Sequence, residues 1–485
     1  MAVELRSPFD LHLLVVAISI WVGAATYGLL RPIWLLMFLP FSLWLFGWHK
    51  ATALLVIACI ATGCLIIAAR ERGLTHSQLA TFIDKNITIG IIASIRTDPK
   101  LGQPKVLDGY VKPPSTTAIV SDISFTIKGR SYEAHLPLRL TTQLHINYLP
   151  GTVISAAGIL YSTQEKRVTA LFVARGPIVV VHGAGIAGRF AGMIRKRFRE
   201  VATRVGGSSG ALIPGIVLGD TSLETHNFTD TMVLSGLTHL TAVSGENFAI
   251  IAAFTMWFLQ WLISSLRMRL VVNAFALLGF IVLVRPSPSV LRATVMVAVL
   301  LLSKVRGIKS AGLPALGLAI GLLILIDPFE AIDPGFALSV AATAGILLFS
   351  RPISTWLTDR FHRKRFADLL AIPISANILC TPIAIAISGQ FSFMSIPSNF
   401  LVEPVVAPLT IVGFISAIIS PVLPGLSYLL LLSQKPLAAE IVWVAQICSH
   451  VPVLHIKKGF VGAAIGVLAT LVVAIALRWN TWRSH

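Results

Sequence analysis

The chain has 485 residues, 55% of them hydrophobic and 12% charged. Soluble domains carry about 25% charged residues, which excludes a soluble fold for most of its length. Its 39 Lys and Arg against 21 Asp and Glu leave a net charge of +18, which fits either the cation-rich cytoplasmic loops of a membrane protein or a polyanionic partner such as nucleic acid.

In chain order, residues 11–30, 32–47 and 51–69 read as three membrane helices within an N-terminal region 1–70, since about 20 mostly apolar residues cross a bilayer. The start reads as a membrane anchor rather than a cleaved leader. From Arg70 to Val181 the apolar runs shorten to ITIGIIASI, SDISFTIKG, YEAHLPLRL, GTVISAAGILY and RVTALFVA. These β-branched, partly alternating runs are separated by turn residues and predict five or six short strands. A small closed barrel or sandwich, OB-like in one version, is expected over 71–185.

Residues 186–242 are expected to form an amphipathic helix and a junction. Ile186, Phe190, Ile194, Phe198 and Val201 recur every three or four positions, and Arg189, Arg195, Lys196, Arg197 and Arg199 fill the other face. That pattern suits contact with a membrane surface or a DNA backbone. From 243 to 478 the chain reads as a helical membrane domain with spans at 243–262, 271–284, 289–303, 311–326, 333–350, 367–388, 396–419, 425–450 in broken form, and 460–478, followed by a short tail, 479–485. Cations gather in alternate loops: Arg267 and Arg269, then Lys304, Arg306 and Lys309, then Arg351, Arg360, Arg363, Lys364 and Arg365. The positive-inside rule puts these loops and the tail in the cytoplasm and the strand-rich domain outside. Arg31, Arg70 and Arg72 run against that rule in the first three helices. The outer domain holds 12 basic against seven acidic residues, with Phe125, Tyr132 and Tyr148 as candidate exposed rings; charge along a groove and rings under bases are the ingredients of single-strand binding.

Chemistry-bearing motifs are few. HGAGIAG, with Gly183, Gly185 and Gly188, fits the dinucleotide spacing but lacks the following strand with its acid, so it reads as a flexible junction. No GxxxxGK[ST] or HExxH occurs, which gives no support to a nucleotide motor, a catalytic metal or a cofactor, and the protein is expected not to be an enzyme. Cys59, Cys64, Cys380 and Cys448 sit in apolar runs without CxxC spacing, as buried inert thiols do. The segment 208–251 differs: Asp220, His239, Ser244, Gly245, Glu246 and Asn247 lie in or beside apolar helix where the membrane domain begins. Polar and ionisable groups at membrane depth are costly and default to function; hydrogen bonding between helices is the alternative.

GLTHLTAVSGENF at 236–248 resembles the recognisable motif of the ComEC competence proteins, Gly-x-x-His followed by Ala-Val/Ile-Ser-Gly. IVLGDTS at 216–222, PSVLRATVM at 288–296, DPGFALSVAATAGILL at 333–348 and SNFLVEPVVAP at 398–408 follow the family in order. Asn247 stands where many members carry His, and Glu246 is unusual beside it. The resemblance implies a channel conducting single-stranded DNA across the bacterial cytoplasmic membrane in natural transformation, with an external OB-like domain. It also implies a short form without the C-terminal β-lactamase-like domain of longer members. Its partners would be single-stranded DNA, the lipid bilayer, and a separate DNA receptor, nuclease and cytoplasmic motor. Asp220, His239, Ser244, Gly245, Glu246, Asn247, Arg292 and Asp333 are expected at the path. Arg292, in an otherwise apolar span, must pair with an acid such as Asp333 or Glu246 or meet a phosphate. Proton coupling through Glu246 or Glu403 is one expectation for the energy source and a cytoplasmic motor another. A carrier of small anionic solutes or a membrane scaffold are the alternatives.

Overall fold

The computed structural model describes residues 8–30, 50–305 and 312–456, apart from short breaks at 103–104, 108–109, 113, 128–129, 145, 147, 242 and 286, together with positions 458, 459, 462, 464, 466 and 468. The expected span 32–47, loop residues Arg306 and Lys309, most of 460–478 and the tail 479–485 lie outside the described residues. Two compact units divide the chain, Cys64–Met193 and the remainder.

In the smaller unit, alternation builds a barrel-like domain. Strand β1 (Ile89–Ile95) turns Ile89, Ile91, Ala93 and Ile95 inward, because successive side chains of a strand face opposite ways. It pairs with β2 (Thr116–Ile127) on one side and β4 (Val153–Tyr161) on the other. Strand β3 (Leu138–Thr142) joins β2 antiparallel and β5 (Ala170–Ala174) in parallel, and β5 returns to β4. The order β1-β2-β3-β5-β4 therefore closes on β1 and leaves the ring no open edge. Leu138, Leu140, Ile154, Leu160 and Phe172 fill its core. A sixth strand, β6 (Val179–His182), adds to β4.

Two details depart from the sequence reading. The short hairpin Lys105–Leu107 with Tyr110–Lys112 and the arm Arg130–Ala134 add strands beyond the five or six expected. Phe125, expected as an exposed ring, is 1% exposed and stacks on the half-buried Tyr132 with ring centroids 5.2 Å apart; Tyr148 is half-buried as well. Phe125 shares the inward register of Ile123, so the alternation that makes the strand also buries the ring.

The larger unit is helical. Helix α1 (Pro8–Leu30) crosses α2 (Lys50–Thr75) at Gly23 and Gly63, where a Cβ on either would collide with the carbonyl oxygen of Ile60 or Ile20 on the facing helix. Such close backbone approach is how helices associate when lipid gives no hydrophobic drive. Next come α3 (Ile186–Val205), α4 (Gly207–Leu218), α5 (His226–Leu234), α6 (Gly245–Leu262), α7 (Leu266–Val284), α8 (Pro288–Val305) and α9 (Gly312–Ile326). The last four are α10 (Pro334–Phe361), α11 (Lys364–Ser388), α12 (Ser395–Ile419) and α13 (Pro424–Ser449).

Among the described residues six helices are long and apolar enough to cross a membrane: the Leu54–Thr75 stretch of α2, and α7, α10, α11, α12 and α13. Residues 243–262, expected as a span, form the 18-residue α6, which is not among these six. The expected loop 351–366 is helical through Phe361, with Pro352 inside α10 and a turn at His362, whose φ is 56°. The expected break in 425–450 is absent, since α13 runs continuously through Pro436. Proline is tolerated where neighbouring groups re-satisfy the freed carbonyl. Outward residues such as Phe275 and Trp261, 70% and 74% exposed, require lipid rather than water. The chain is a membrane protein.

Candidate functional site

The distinctive segment folds as α4, a turn carrying Asp220, α5, the short 3-10 turn Thr238–Thr241, and α6. Ser244 caps α6: its hydroxyl accepts from the Asn247 amide at 3.2 Å, satisfying one of the donors every helix start leaves open. Glu246 in the first turn lies at the positive end of that helix. The site residues expected from sequence separate into two groups.

The first group is a knot of charge. Arg195 is 5% exposed and donates to the carbonyls of Leu218 at 2.6 Å and Leu283 at 3.1 Å, the C-terminal ends of α4 and α7, where a cation is favoured. Arg199 donates twice to Asp220, at 2.9 and 2.6 Å, and Asp220 also accepts from the Ser222 amide at 3.2 Å. Burial alone would push the Asp220 carboxyl up, but Arg195, the Ser222 side chain and Arg199 together outweigh it and hold it below the usual carboxylate range. Glu224 sits beside this knot. Burial first, and the Asp220 charge second, push its carboxyl up to about 7, and its Oε1 is buried without a hydrogen-bond partner. Asn247, 2% exposed, ties α6 to α4 through the Ile216 carbonyl at 3.0 Å.

These bonds correct the surface assignment of the basic helix. Arg195 faces inward and Arg199 is engaged by Asp220, while Arg189, Lys196 and Arg197 are exposed. The apolar face of α3 from Ala191 onward, with Ile194, Phe198 and Val201, is covered by protein. Ile186 and Phe190, expected on that same face, are 80% and 59% exposed.

The second group gathers at the start of α6, which packs against α8 and α12. Arg292 on α8 is 5% exposed. It donates to Ser339 Oγ from Nε at 3.1 Å and from Nη2 at 2.7 Å, and to Thr343 Oγ1, with Met296 Sδ at 3.6 Å. Among the described residues no acid forms an ion pair with it, so of the two alternatives for Arg292 the pairing with Asp333 or Glu246 is not the one the structure shows. Asp333 instead caps α10, accepting from the Phe336 amide at 2.9 Å. A Cβ on Gly245 would lie 2.9 Å from Arg292 Nη2, so the guanidinium stands against the helix start and would have to shift to admit a side chain there.

Glu246 lies beside Glu403 of α12. His239 lies within electrostatic reach of Glu246 and beside the Gly236 backbone. His239 is exposed. Desolvation by the groups around it holds the imidazole below the usual histidine range, against the pull of Glu246 and the Gly236 backbone. Among the described residues no three metal-ligating side chains converge on a metal position.

The structure thus brings His239, Ser244, Gly245, Glu246 and Arg292 into one region and assigns Asp220, Asn247 and Asp333 to helix ties and caps. Sequence reasoning missed Glu224, Ser339 and Thr343. The last two stand four apart on α10, so one helix face carries both hydroxyls, a signal present in the sequence and overlooked.

Both groups fall largely within the stretch that resembles known proteins. The Competence protein family matches residues 216–483. ComE operon protein 3 of Bacillus subtilis (strain 168) is 24% identical over 196 residues, covering 40% of this chain and 24% of the relative. The chain therefore matches about a quarter of that relative's length. No solved structure matches the chain. Because the family match extends over more than half of the sequence, this protein belongs to the Competence protein family.

Proposed function

We propose that this protein conducts single-stranded DNA across the bacterial cytoplasmic membrane during natural transformation. The observation that carries the reading is Arg292: a buried guanidinium with neutral partners, set against the start of α6. Charge at membrane depth calls for a counter-charge, and a passing phosphodiester supplies one. The helix start adds to the attraction, since its amides favour anions. His239, Glu246 and Glu403 give the neighbouring region its polarity.

The closed five-stranded barrel supports an OB-type module, and its excess of basic residues, 12 against seven acidic over 71–185, supports electrostatic capture of the strand on the outer side. With Phe125 in the core, that capture relies on charge more than on ring stacking. The cation-rich start of α7 at 267–269 and the cation-rich end of α10 with the start of α11 at 351–365 support a cytoplasmic position for them and for the C-terminus. A receptor, a nuclease for the second strand and a motor would be separate proteins.

The test is marker uptake in a deletion strain complemented with wild type, His239→Ala or Arg292→Gln, with membrane insertion of each protein verified. Loss of transformation in the deletion, rescue by wild type and failure of both inserted variants is the expected result. Normal transformation in the deletion strain would refute the DNA role and favour a carrier of small anions. Full activity of inserted Arg292→Gln would remove the phosphate contact from the mechanism.

A further inference from the structure

The end of the small unit carries an apolar surface that the strand-binding reading does not use. In β6 all four residues are exposed, with Val179 at 57%, Val180 at 42% and Val181 at 43%. A strand covered on one face would hide every second side chain; here three consecutive valines remain open, with a register shift between Val180 and His182. The first turns of α3 continue the surface. Ile186, Phe190 and Met193 are 80%, 59% and 44% exposed, and their spacing of four and three puts them in one stripe.

Both pieces are fixed against the same stretch of chain. Gly188 and Gly192 bring α3 onto Pro150 and Leu149, and β6 pairs with Val153–Ser155 a few residues later. The apolar stripe is flanked by exposed cations, Arg189 and Lys196 on one side and Arg197 at its far end.

We propose that β6 and the first two turns of α3 dock on an anionic phospholipid surface, with the valines, Ile186, Phe190 and Met193 in the acyl boundary and the cations at the headgroups. Apolar bulk rimmed by Lys and Arg is the composition of interfacial membrane contacts. A nucleic-acid surface would place rings, not adjacent valines, among its cations, and this patch has one ring, Phe190. Chain continuity favours lipid as well, because the unit is entered from the membrane-length α2 and left through α3 toward the apolar α4.

The test uses the full chain with its four native cysteines replaced by alanine and a single cysteine introduced by Phe190→Cys or, separately, Val180→Cys. Each site is labelled with an environment-sensitive dye. Both sites are exposed, so neither substitution threatens the core. The protein is reconstituted in phosphatidylcholine vesicles with and without phosphatidylglycerol. Blue-shifted emission at both sites is expected, quenched several-fold more strongly by lipid-borne nitroxide than by aqueous iodide and enhanced by the anionic lipid. Water-like emission with efficient iodide quenching in both vesicle types would overturn the proposal. A blue shift that arises only on adding single-stranded DNA would overturn it in favour of a nucleic-acid surface.

Discussion

Asp220→Asn isolates the knot at the base of α4. Asp220 is 5% exposed, accepts two hydrogen bonds from Arg199 and one from the Ser222 amide, and is attracted by the equally buried Arg195. Asparagine keeps the volume and the bond from Ser222, but it removes the charge and can turn an NH2 group toward Arg199. Removing one partner of a buried ion pair costs about 3–5 kcal/mol because the other charge is stranded. The Arg199 side chain is 34% exposed and can turn partly to water, while Arg195 cannot. That lowers the expectation to about 2–4 kcal/mol, roughly two orders of magnitude in the folding equilibrium. The assay is denaturation of the purified full chain in mixed micelles followed by tryptophan fluorescence. If unfolding proves irreversible, unfolding rates under matched conditions are compared instead. Arg199→Gln and the double variant complete a cycle that separates the Arg199 contribution from that of Arg195. Stability of Asp220→Asn within about 0.5 kcal/mol of wild type, the range of an ordinary surface change, would refute the reasoning.

Three further outcomes follow from the geometry. The folded-state value of Glu224 lies near 7, above its ordinary 4.5, so the folded protein holds the extra proton between those values; stability is full below 4.5, declines as pH rises toward 7 and stays low above it. Glu224→Gln should accordingly be more stable than wild type at pH 8, by about 1–3 kcal/mol, and equal to it near pH 4, and parallel pH profiles for the two proteins would contradict this. Gly245→Ala places a methyl 2.9 Å from Arg292 Nη2 and must displace the guanidinium, so the inserted variant should transform poorly; wild-type transformation would show that the close approach has no bearing on uptake. Gly63→Val drives a side chain into the Ile20 carbonyl on α1 and should cost about 1–3 kcal/mol, read as a lowered melting point in micelles, whereas an unchanged melting point would deny the α1–α2 contact.

The sequence discloses what repeats locally and conceals what is settled by distant neighbours. ITIGIIASI alternates, and β1 buries Ile89, Ile91 and Ile95 while Ile92 faces the other way, as alternation requires. The hairpin of Lys105–Leu107 with Tyr110–Lys112 has arms of three residues, too short for any period to register. In α3 the spacing of Ile194, Phe198 and Val201 marks an apolar face, yet nothing local says that protein rather than lipid covers it. Arg195 lies beside that face in sequence and reads as a surface cation until the carbonyl ends of α4 and α7, 23 and 88 residues away, arrive to receive it. The six membrane-length helices were legible because their composition is extreme, but their ends were not: α10 continues eleven residues past the expected stop at 350, since Arg351 and Pro352 look like loop residues and are tolerated in a helix that packs along α11.

The net charge of +18 therefore overstates what is free to meet a polyanion. Arg96 pairs with Asp122, Arg139 with Glu165 and Arg199 with Asp220, and Arg195 serves helix ends. Within the membrane unit Arg292 differs from these, having hydroxyls in place of a carboxylate. On the proposed reading that difference is what a conduit needs. An arginine locked to an acid would not respond to a phosphate. One left without any partner would be too costly to bury and would hold the strand too tightly, whereas conduction demands binding strong enough to admit and weak enough to release. Ser339 and Thr343 meet the donors of the guanidinium without cancelling its charge, and Glu246, one residue beyond Gly245 and beside Glu403, supplies an opposing field nearby. Attraction and release would then belong to the same few residues at the start of α6, so substitutions there should change the rate of passage before they change the fold.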